Sequence, residues 1–293
     1  MDPKPVSRRP LVPLDTDPQP ALRFLYDTRF GRLCLRAAVR PTVSRLYGRY
    51  MDSRWSRRQI LPFIQKNRID MAQYEQREYR SYNDFFTRRA LPAARPVDLS
   101  PSHLVAPCDA KLTAYPVTED ARWLIKGAPY TVSELLGGDP LAARFRGGTC
   151  LIFRLAVDDY HRYCYFDSGV QGPGRVLPGV LHTVQPVALR RANVYHRNCR
   201  AYTLLHTDHF GDAVQVEVGA LMVGRIVNLH RAGHAFQRGD EKGYFEFGGS
   251  TVVLLLGPGA AAVEEEILAA TAAGYETAVR LGECIGTAGP AGG

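Results

Sequence analysis

Gly239-Asp240-Glu241-Lys242-Gly243-Tyr244-Phe245-Glu246-Phe247-Gly248-Gly249-Ser250-Thr251-Val252-Val253-Leu254-Leu255-Leu256 is the stretch on which the reading of this chain turns. Charge gives way to alternating aromatics, then to a glycine pair, then to Ser-Thr opening an apolar run. The β-branched and aliphatic residues from Thr251 to Leu256 predict a buried strand. A hydroxyl therefore stands at the entrance to a rigid element, with two glycines before it. Gly249 has no Cβ, so its carbonyl can turn towards Ser250 without a clash. Taken alone, the stretch is a turn feeding a strand.

The chain has 293 residues, 45% hydrophobic and 23% charged, which is ordinary for a folded protein with one large domain or two smaller ones. Its net charge of +8 is uneven. Residues 1–100 hold 20 Lys and Arg against 10 Asp and Glu, and the remainder is slightly acidic. A basic N-terminal third beside a near-neutral body implies one face that meets something anionic. The six cysteines are scattered without a C-x-x-C pair, and the N-terminus lacks an apolar export segment, so free thiols in a reducing compartment are expected. No apolar run approaches the roughly 18 residues that cross a bilayer, so membrane contact is expected to be peripheral.

Residues 1–20 carry six prolines and read as a disordered arm. From Ala21, Leu22, Leu25, Phe30, Leu33 and Val39 alternate with arginines up to Pro41, a basic amphipathic helix, and Val43 to about Met51 repeats the chemistry. Such segments either pack on their own domain or lie on anionic lipid. Ser56 is read as the cap of a helix towards Lys66 interrupted by Pro62, Asp70 as the cap of Met71–Arg80, and Asn83 as the cap of Asp84–Arg89. Residues 91–96 read as a linker. Beyond Ser100, short strands are expected at Lys111–Tyr115, Cys150–Ala156, Val214–Val218, Met222–Asn228, Thr251–Leu256 and Thr277–Leu281. Turns are expected at Gly137-Gly138-Asp139-Pro140, Gly172-Pro173-Gly174 and Gly257-Pro258-Gly259, and one late helix at Val263–Ala273. The fold class is α+β: a basic helical region, residues 21–96, then a mostly antiparallel β-rich core, residues 97–286, and a frayed tail, 287–293.

Three clusters carry chemistry: Asp109 at the mouth of a strand, Asp158-Asp159-Tyr160-His161-Arg162-Tyr163-Cys164 after an apolar strand, and Gly249-Ser250. An acid, a histidine and a serine at strand ends are the parts of a base-assisted nucleophile. His206-x-x-His209 and His230-x-x-x-His234 have ligand-like spacing but no H-E-x-x-H frame, and no metal is assigned. No phosphate-cradling loop and no nucleic-acid-reading module is recognisable.

The chain resembles the phosphatidylserine decarboxylases from about residue 21 to 286. The resemblance rests on Tyr82-Asn83-Asp84-Phe85-Phe86-Thr87-Arg88 with Arg95-Pro96, Pro107-x-Asp109, Lys126-Gly127, Asp159-Tyr160-His161-Arg162, Val184-Gln185-Pro186, Val218-Gly219-Ala220 with Val223-Gly224, and Gly243 through Val252, all in order. It implies a self-processing enzyme. Ser250 attacks the preceding carbonyl, the chain is cut between Gly249 and Ser250 into a β chain (1–249) and an α chain (250–293), and a pyruvoyl cofactor remains at the new N-terminus. That carbonyl then forms a Schiff base with the substrate amine and accepts the electrons left by CO2.

By motif position Asp109 activates the serine and His161 is the acid at the substrate carbon. Where the family often has a second histidine, the base of the self-cleavage triad, this chain has Cys164, whose thiolate is a candidate acceptor of the serine proton, with His182 as an alternative base. Gln185 stands where Asn is usual, and Ala110 where Gly is usual. The implied partners are phosphatidylserine in an anionic membrane and the chain's own two fragments, with a homo-oligomer open and no nucleic acid. The implied location is the cytoplasmic side of the cell membrane, held peripherally. A soluble amino acid or another serine-headed lipid is the alternative substrate, and a membrane-binding homologue that does not process itself is the alternative from another class.

Overall fold

The computed structural model describes residues 5–14, 24–25, 28–125, 128–182, 194–220, 225–248 and 250–289. In chain order the strands begin with β1 (Leu11–Pro13), β2 (His103–Val105), β3 (Ala110–Pro116), β4 (Arg122–Ile125), β5 (Ala128–Thr131), β6 (Thr149–Leu155), β7 (Arg162–Cys164) and β8 (Gly169–Leu177). They continue with β9 (Arg200–Thr207), β10 (Gly211–Gly219), β11 (Ile226–Asn228), β12 (Ala235–Phe236), β13 (Glu241–Phe245), β14 (Ser250–Leu256), β15 (Ala261–Val263), β16 (Tyr275–Val279) and β17 (Cys284–Ala288). Among the described residues they form a nine-stranded sheet ordered β1-β16-β3-β6-β14-β10-β9-β8-β12, two three-stranded sheets, β11-β13-β7 and β15-β17-β2, and the hairpin β4-β5. All of these ladders are antiparallel, as the α+β reading expects.

The apolar run 251–256 forms the middle of the large sheet because both of its faces are covered. β14 is buried along its whole length. One face packs Val253 and Leu255 with Ile152, Val216, Trp123 and Phe145. The other packs Val252 and Leu254 with Leu112, Phe153, Tyr163 and Phe245, which brings the sheet β11-β13-β7 over the start of β14.

The helical region contains helices Arg29–Ala38, Pro41–Asp52, Ile60–Asn67 and Tyr82–Phe86. A third cluster, of Met51, Tyr82, Phe85 and Phe86, closes on Phe247. Pro62 lies in the first turn of its helix, where a missing N–H costs nothing, so it neither kinks nor ends it. Asp70 does cap, accepting from the Ala72 nitrogen, but the turn it starts covers only Met71–Gln73, because Tyr74 bridges to Ala90. Asn83 is not a cap. Ser81 accepts from the Asp84 nitrogen at 3.1 Å and starts the helix at Tyr82, which frees the Asn83 amide for other bonds.

Three further expectations change. In the arm expected to be disordered, residues 11–13 pair with the edge strand β16, and Arg9 is held by Glu264, Glu266 and Glu283. An edge strand offers unpaired backbone groups, and a proline-containing segment can fill them. Residues 1–4 and 15–20 lie outside the described residues. In the expected tail, Thr287 and Ala288 complete β17, and residues 290–293 lie outside the described residues. Gly172-Pro173-Gly174 is not a turn but a bulge inside β8, where the pairing with β9 shifts between Gln171 and Gly174.

Candidate active site

Ser250 opens β14 opposite Leu155 of β6 on one side and Gly219 of β10 on the other. Alternation along the strand puts it on the face of Val252 and Leu254, under the sheet β11-β13-β7. It is fully buried, and among the described residues its Oγ has no hydrogen-bond partner; the same holds for Thr251 Oγ1. A buried polar group left unpaired costs about 1–3 kcal/mol. Two in succession at one strand mouth make it a candidate site. Before them, Gly248 takes φ 135°, a conformation open to glycine. Gly249 lies outside the described residues, as do Lys126-Gly127, Val184-Gln185-Pro186 and Val223-Gly224.

The aromatics of the quoted stretch wall this turn. The Phe247 ring lies 5.1 Å from Tyr82, 5.3 Å from Phe86 and 5.8 Å from Tyr47. The freed Asn83 side chain accepts from the Phe247 nitrogen at 3.0 Å and donates to Asp52 at 2.8 Å. The helical region thus grips the residues just before the glycine pair.

His161 is delivered to the same place. It is fully buried, its ring 4.2 Å from Phe86, and its carbonyl accepts from the Phe245 nitrogen at 3.0 Å. Its Nδ1 lies 2.9 Å from the Asp159 carbonyl, which assigns the proton to Nδ1, while Nε2 makes no hydrogen bond among the described residues. Burial holds the imidazole down to about 3, against the opposing pull of the Asp159 and Gly248 backbone. At neutral pH it is a neutral ring with a lone pair at Nε2. Asp159 is itself fixed, bound to Lys111 at 2.6 and 2.7 Å and accepting from the Ala156 nitrogen at 2.7 Å.

Asp109 is close in the sheet but turned elsewhere. It precedes β3, and only β6 separates β3 from β14, about 10 Å at ordinary strand spacing. Its carboxylate binds Arg95 at 2.6–3.0 Å and accepts from the Leu281 nitrogen at 2.9 Å. It opens onto a cleft of about 690 Å³ that Arg8, Lys111, Asp159 and Arg280 also line. No hydrogen bond joins it to Ser250. Arg95, read as part of a linker, is the residue that holds it.

Cys164 is buried in β7 opposite Glu241, and its backbone nitrogen donates to the Pro107 carbonyl at 2.8 Å, beside the segment carrying Asp109. Burial, with the charges of Asp240 and Asp109, pushes its thiol up to about 12, so it is protonated at neutral pH. His182 reaches the strand end from the other side: its backbone is bonded to Asn198, whose amide also donates to the carbonyl of Gly219, the partner of Ser250. His206 and His209 each face a separate carboxylate, Asp212 and Asp167.

Two features were not anticipated. Lys242 and Glu217 form a fully buried ion pair at 2.7 Å, supported by Asn228 at 3.0 Å and Thr203 at 3.2 Å. The bulge in β13 between Glu241 and Gly243 turns Lys242 inwards, and Gly243 admits Tyr163, whose hydroxyl a Cβ there would meet at 2.7 Å. The sequence hid it, because Val214-Gln215-Val216-Glu217-Val218 alternates as a strand with one wet face does, whereas both faces of β10 are buried here and the buried Glu217 needs a partner. The second feature is Arg88. It is fully buried, stacked 4.3 Å from Tyr74 and 4.9 Å from Phe85, with Nε and Nη1 unpartnered. Among the described residues no carboxylate neutralises it. Its charge is felt at His161.

A family profile described as phosphatidylserine decarboxylase matches residues 82–287. The chain is similar to phosphatidylserine decarboxylase proenzyme 2 of Clostridium acetobutylicum, 45% identical over 266 residues, covering 90% of this chain and 91% of that protein. It is similar to the phosphatidylserine decarboxylase proenzyme of Ruminiclostridium cellulolyticum, 40% identical over 270 residues and 90% of each chain. The proenzyme of that name from Desulfitobacterium hafniense is 39% identical over 270 residues, 90% of this chain and 91% of that protein.

Proposed function

The chain belongs to the phosphatidylserine decarboxylase family and is a carboxy-lyase, and from that premise we propose that it cuts itself between Gly249 and Ser250 and then decarboxylates phosphatidylserine to phosphatidylethanolamine. The observation that carries the reading is the buried Ser250 Oγ, unpartnered among the described residues at the mouth of β14, behind a glycine pair walled by Phe247 and Phe86, the ring against which His161 packs with its own Nε2 unpartnered.

In the first step His161 Nε2 takes the Ser250 proton as Oγ attacks the Gly249 carbonyl carbon. The amide C–N bond breaks, the amine takes up the proton, and an ester remains. Elimination across Cα–Cβ of Ser250 releases Gly249 as a carboxylate. The enamine left behind takes up water and loses ammonia, so the cofactor arises from Ser250 itself. Protonated Cys164 is the wrong species for the base in this step. Asp109, held by Arg95, positions the strand end rather than touching the hydroxyl.

A pyruvoyl group made from Ser250 would sit at this buried strand mouth with Thr251 Oγ1 unpaired next to it, and would supply an electrophilic carbonyl as an electron sink for decarboxylation. Around it, the wall of Phe86, Phe247 and Tyr82 excludes water and weakens the solvation that would hold a carboxylate in place. Arg88 offers the unneutralised positive charge that an anionic headgroup needs. His161 Nε2, a neutral acceptor at rest, would take the proton that the substrate ammonium gives up and pass it to the substrate carbon.

The substrate arrives from a membrane. Phe30, Leu33, Leu46, Trp55 and Leu61 are exposed on the helical region whose inner side grips Phe247. Among the described residues no helix is long and apolar enough to cross a membrane. Apolar side chains set among arginines suit attachment to the anionic cytoplasmic face of the cell membrane.

Denaturing electrophoresis with intact-mass analysis tests the proposal. The wild type should give two fragments meeting at Gly249/Ser250, the smaller blocked at its N-terminus and trapped by borohydride with phosphatidylserine. Ser250→Ala should give one chain. Wild-type protein that stays whole and inert to trapping sinks the reading.

A further inference from the structure

Away from the candidate active site, Asp98, His103 and Cys284 bring a carboxylate oxygen, an imidazole nitrogen and a thiol sulfur within 4.8 Å of one another. We propose that these three side chains form a binding site for a borderline-soft divalent cation, Zn²⁺ or Co²⁺, with water completing the coordination. The site goes beyond the decarboxylase reading, and its occupancy does not depend on it.

The fold holds the three donors in place. The Asp98 nitrogen donates to the Gly282 carbonyl at 2.9 Å, and Ser100 and His103 fold back so that Asp98 Oδ1 accepts from the Ser100 nitrogen at 2.8 Å and the His103 nitrogen donates to the Ser100 carbonyl at 2.9 Å. That turn sets His103 Nδ1 2.7 Å from Asp98 Oδ2. Gly282 allows the close approach: a Cβ there would meet the Pro96 carbonyl at 2.7 Å and Val97 Cα at 2.8 Å.

Cys284 arrives on the paired strand. β17 runs beside β2, and the pairing shifts between Cys284 and Gly286, a bulge of the kind that re-aims a side chain. Arg9 fixes the backbone from behind by donating to the Cys284 carbonyl at 2.7 Å.

The spacing suits a tetrahedral ion. Zinc binds sulfur at about 2.3 Å and nitrogen or carboxylate oxygen at about 2.0–2.2 Å, so ligand atoms stand roughly 3.5 Å apart; the widest separation, up to 4.8 Å, has to contract by about 1 Å and the 2.7 Å His103–Asp98 pair to open by somewhat less. Binding would displace the proton between His103 Nδ1 and Asp98 and the thiol proton of Cys284. The half-buried position leaves room for a water ligand. Sulfur and imidazole select against Mg²⁺ and Ca²⁺, which take oxygen ligands.

The test titrates full-length, chelator-treated protein with Co²⁺ and reads its absorption. The expected result is one Co²⁺ per chain, with tetrahedral d–d bands and a near-ultraviolet thiolate-to-cobalt band, all removed by Zn²⁺ and unaffected by millimolar Mg²⁺. Cys284→Ser should abolish the thiolate band, and His103→Gln should weaken binding at least tenfold, both with unchanged circular dichroism. Ser250→Ala should bind as the wild type does, which separates this site from the processing reaction. Absence of a thiolate band, its persistence in Cys284→Ser, or displacement by Mg²⁺ would overturn the proposal.

Discussion

His161 gives Nδ1 to the Asp159 carbonyl at 2.9 Å and keeps Nε2 unpartnered in a fully buried position. The pair also titrates in opposite senses. Burial lowers His161 from 6.5 to about 3 and raises Asp159 from 3.8 to about 6. A base held down in the fold gives stability that is present above its unfolded value and lost as the pH falls from 6.5 towards 3. A carboxyl held up does the reverse, so the fold gains as the pH falls from 6 to 3.8. We expect the difference in unfolding free energy between His161→Gln and the wild type to shift in favour of the variant as the pH falls from 6.5, by up to about 1.4 kcal/mol per unit. Urea melts at several pH values read this directly, and a pH-independent difference would refute it.

Cys164→Ala should process itself within about tenfold of the wild-type rate, because a thiol pushed up to about 12 is not a base at neutral pH. Fragment formation on a denaturing gel over time measures it. A loss of a hundredfold or more, the scale of a general base, would give the thiol a chemical role.

Arg95→Ala strands the buried Asp109 carboxylate. Removing one partner of a buried pair costs about 3–5 kcal/mol. We expect a loss of that order in chemical denaturation, with much of it recovered in the Arg95→Ala/Asp109→Asn double variant. Additive single effects would show that the two residues act separately.

Lys242→Met should be similarly damaging, about 3–5 kcal/mol, because it leaves Glu217 buried without its cation. Adding Glu217→Gln should restore most of the loss. Thermal or urea unfolding of the four proteins closes the cycle.

Leu33→Glu and Leu46→Glu alter residues that are 60% and 69% exposed. Both should fold and process normally yet sediment less with anionic vesicles, the double variant least. Unchanged sedimentation would remove the helical region from the membrane contact.

The centre of this fold was legible in the sequence and its margins were not. A five-residue aliphatic run behind Gly-Gly-Ser-Thr needs no tertiary information to become a buried strand, so β14 follows from local pattern, whereas the role of Ser250 came from the resemblance. Pairings between distant residues leave no local trace. The edge that accepts residues 11–13, the bulge that turns Lys242 inwards, and the bulge that keeps Gly172-Pro173-Gly174 inside β8 depend on what the neighbouring strand offers. The site divides in the same way. Ser250 and His161 sit at elements whose patterns are local, whereas the orientation of Asp109 is decided by Arg95 and the Leu281 backbone; Arg95 stood out in the resemblance, but its contact with Asp109 left no local trace.

Seven residues of β14 are bridged to β6 on one side and to β10 on the other, while β16, also beyond Ser250, lies between β1 and β3. A cut before Ser250 would therefore hand the shorter fragment an interior strand of a sheet that was closed around it while the chain was whole. Nothing need move when the bond breaks, and the fragments should travel as one particle until denaturant separates them. The way back is different. A loose 44-residue piece would have to insert between two strands that have already found each other, in a second-order search that competes with aggregation. The mature protein is then held by kinetics, having used once a folding route that its fragments no longer possess.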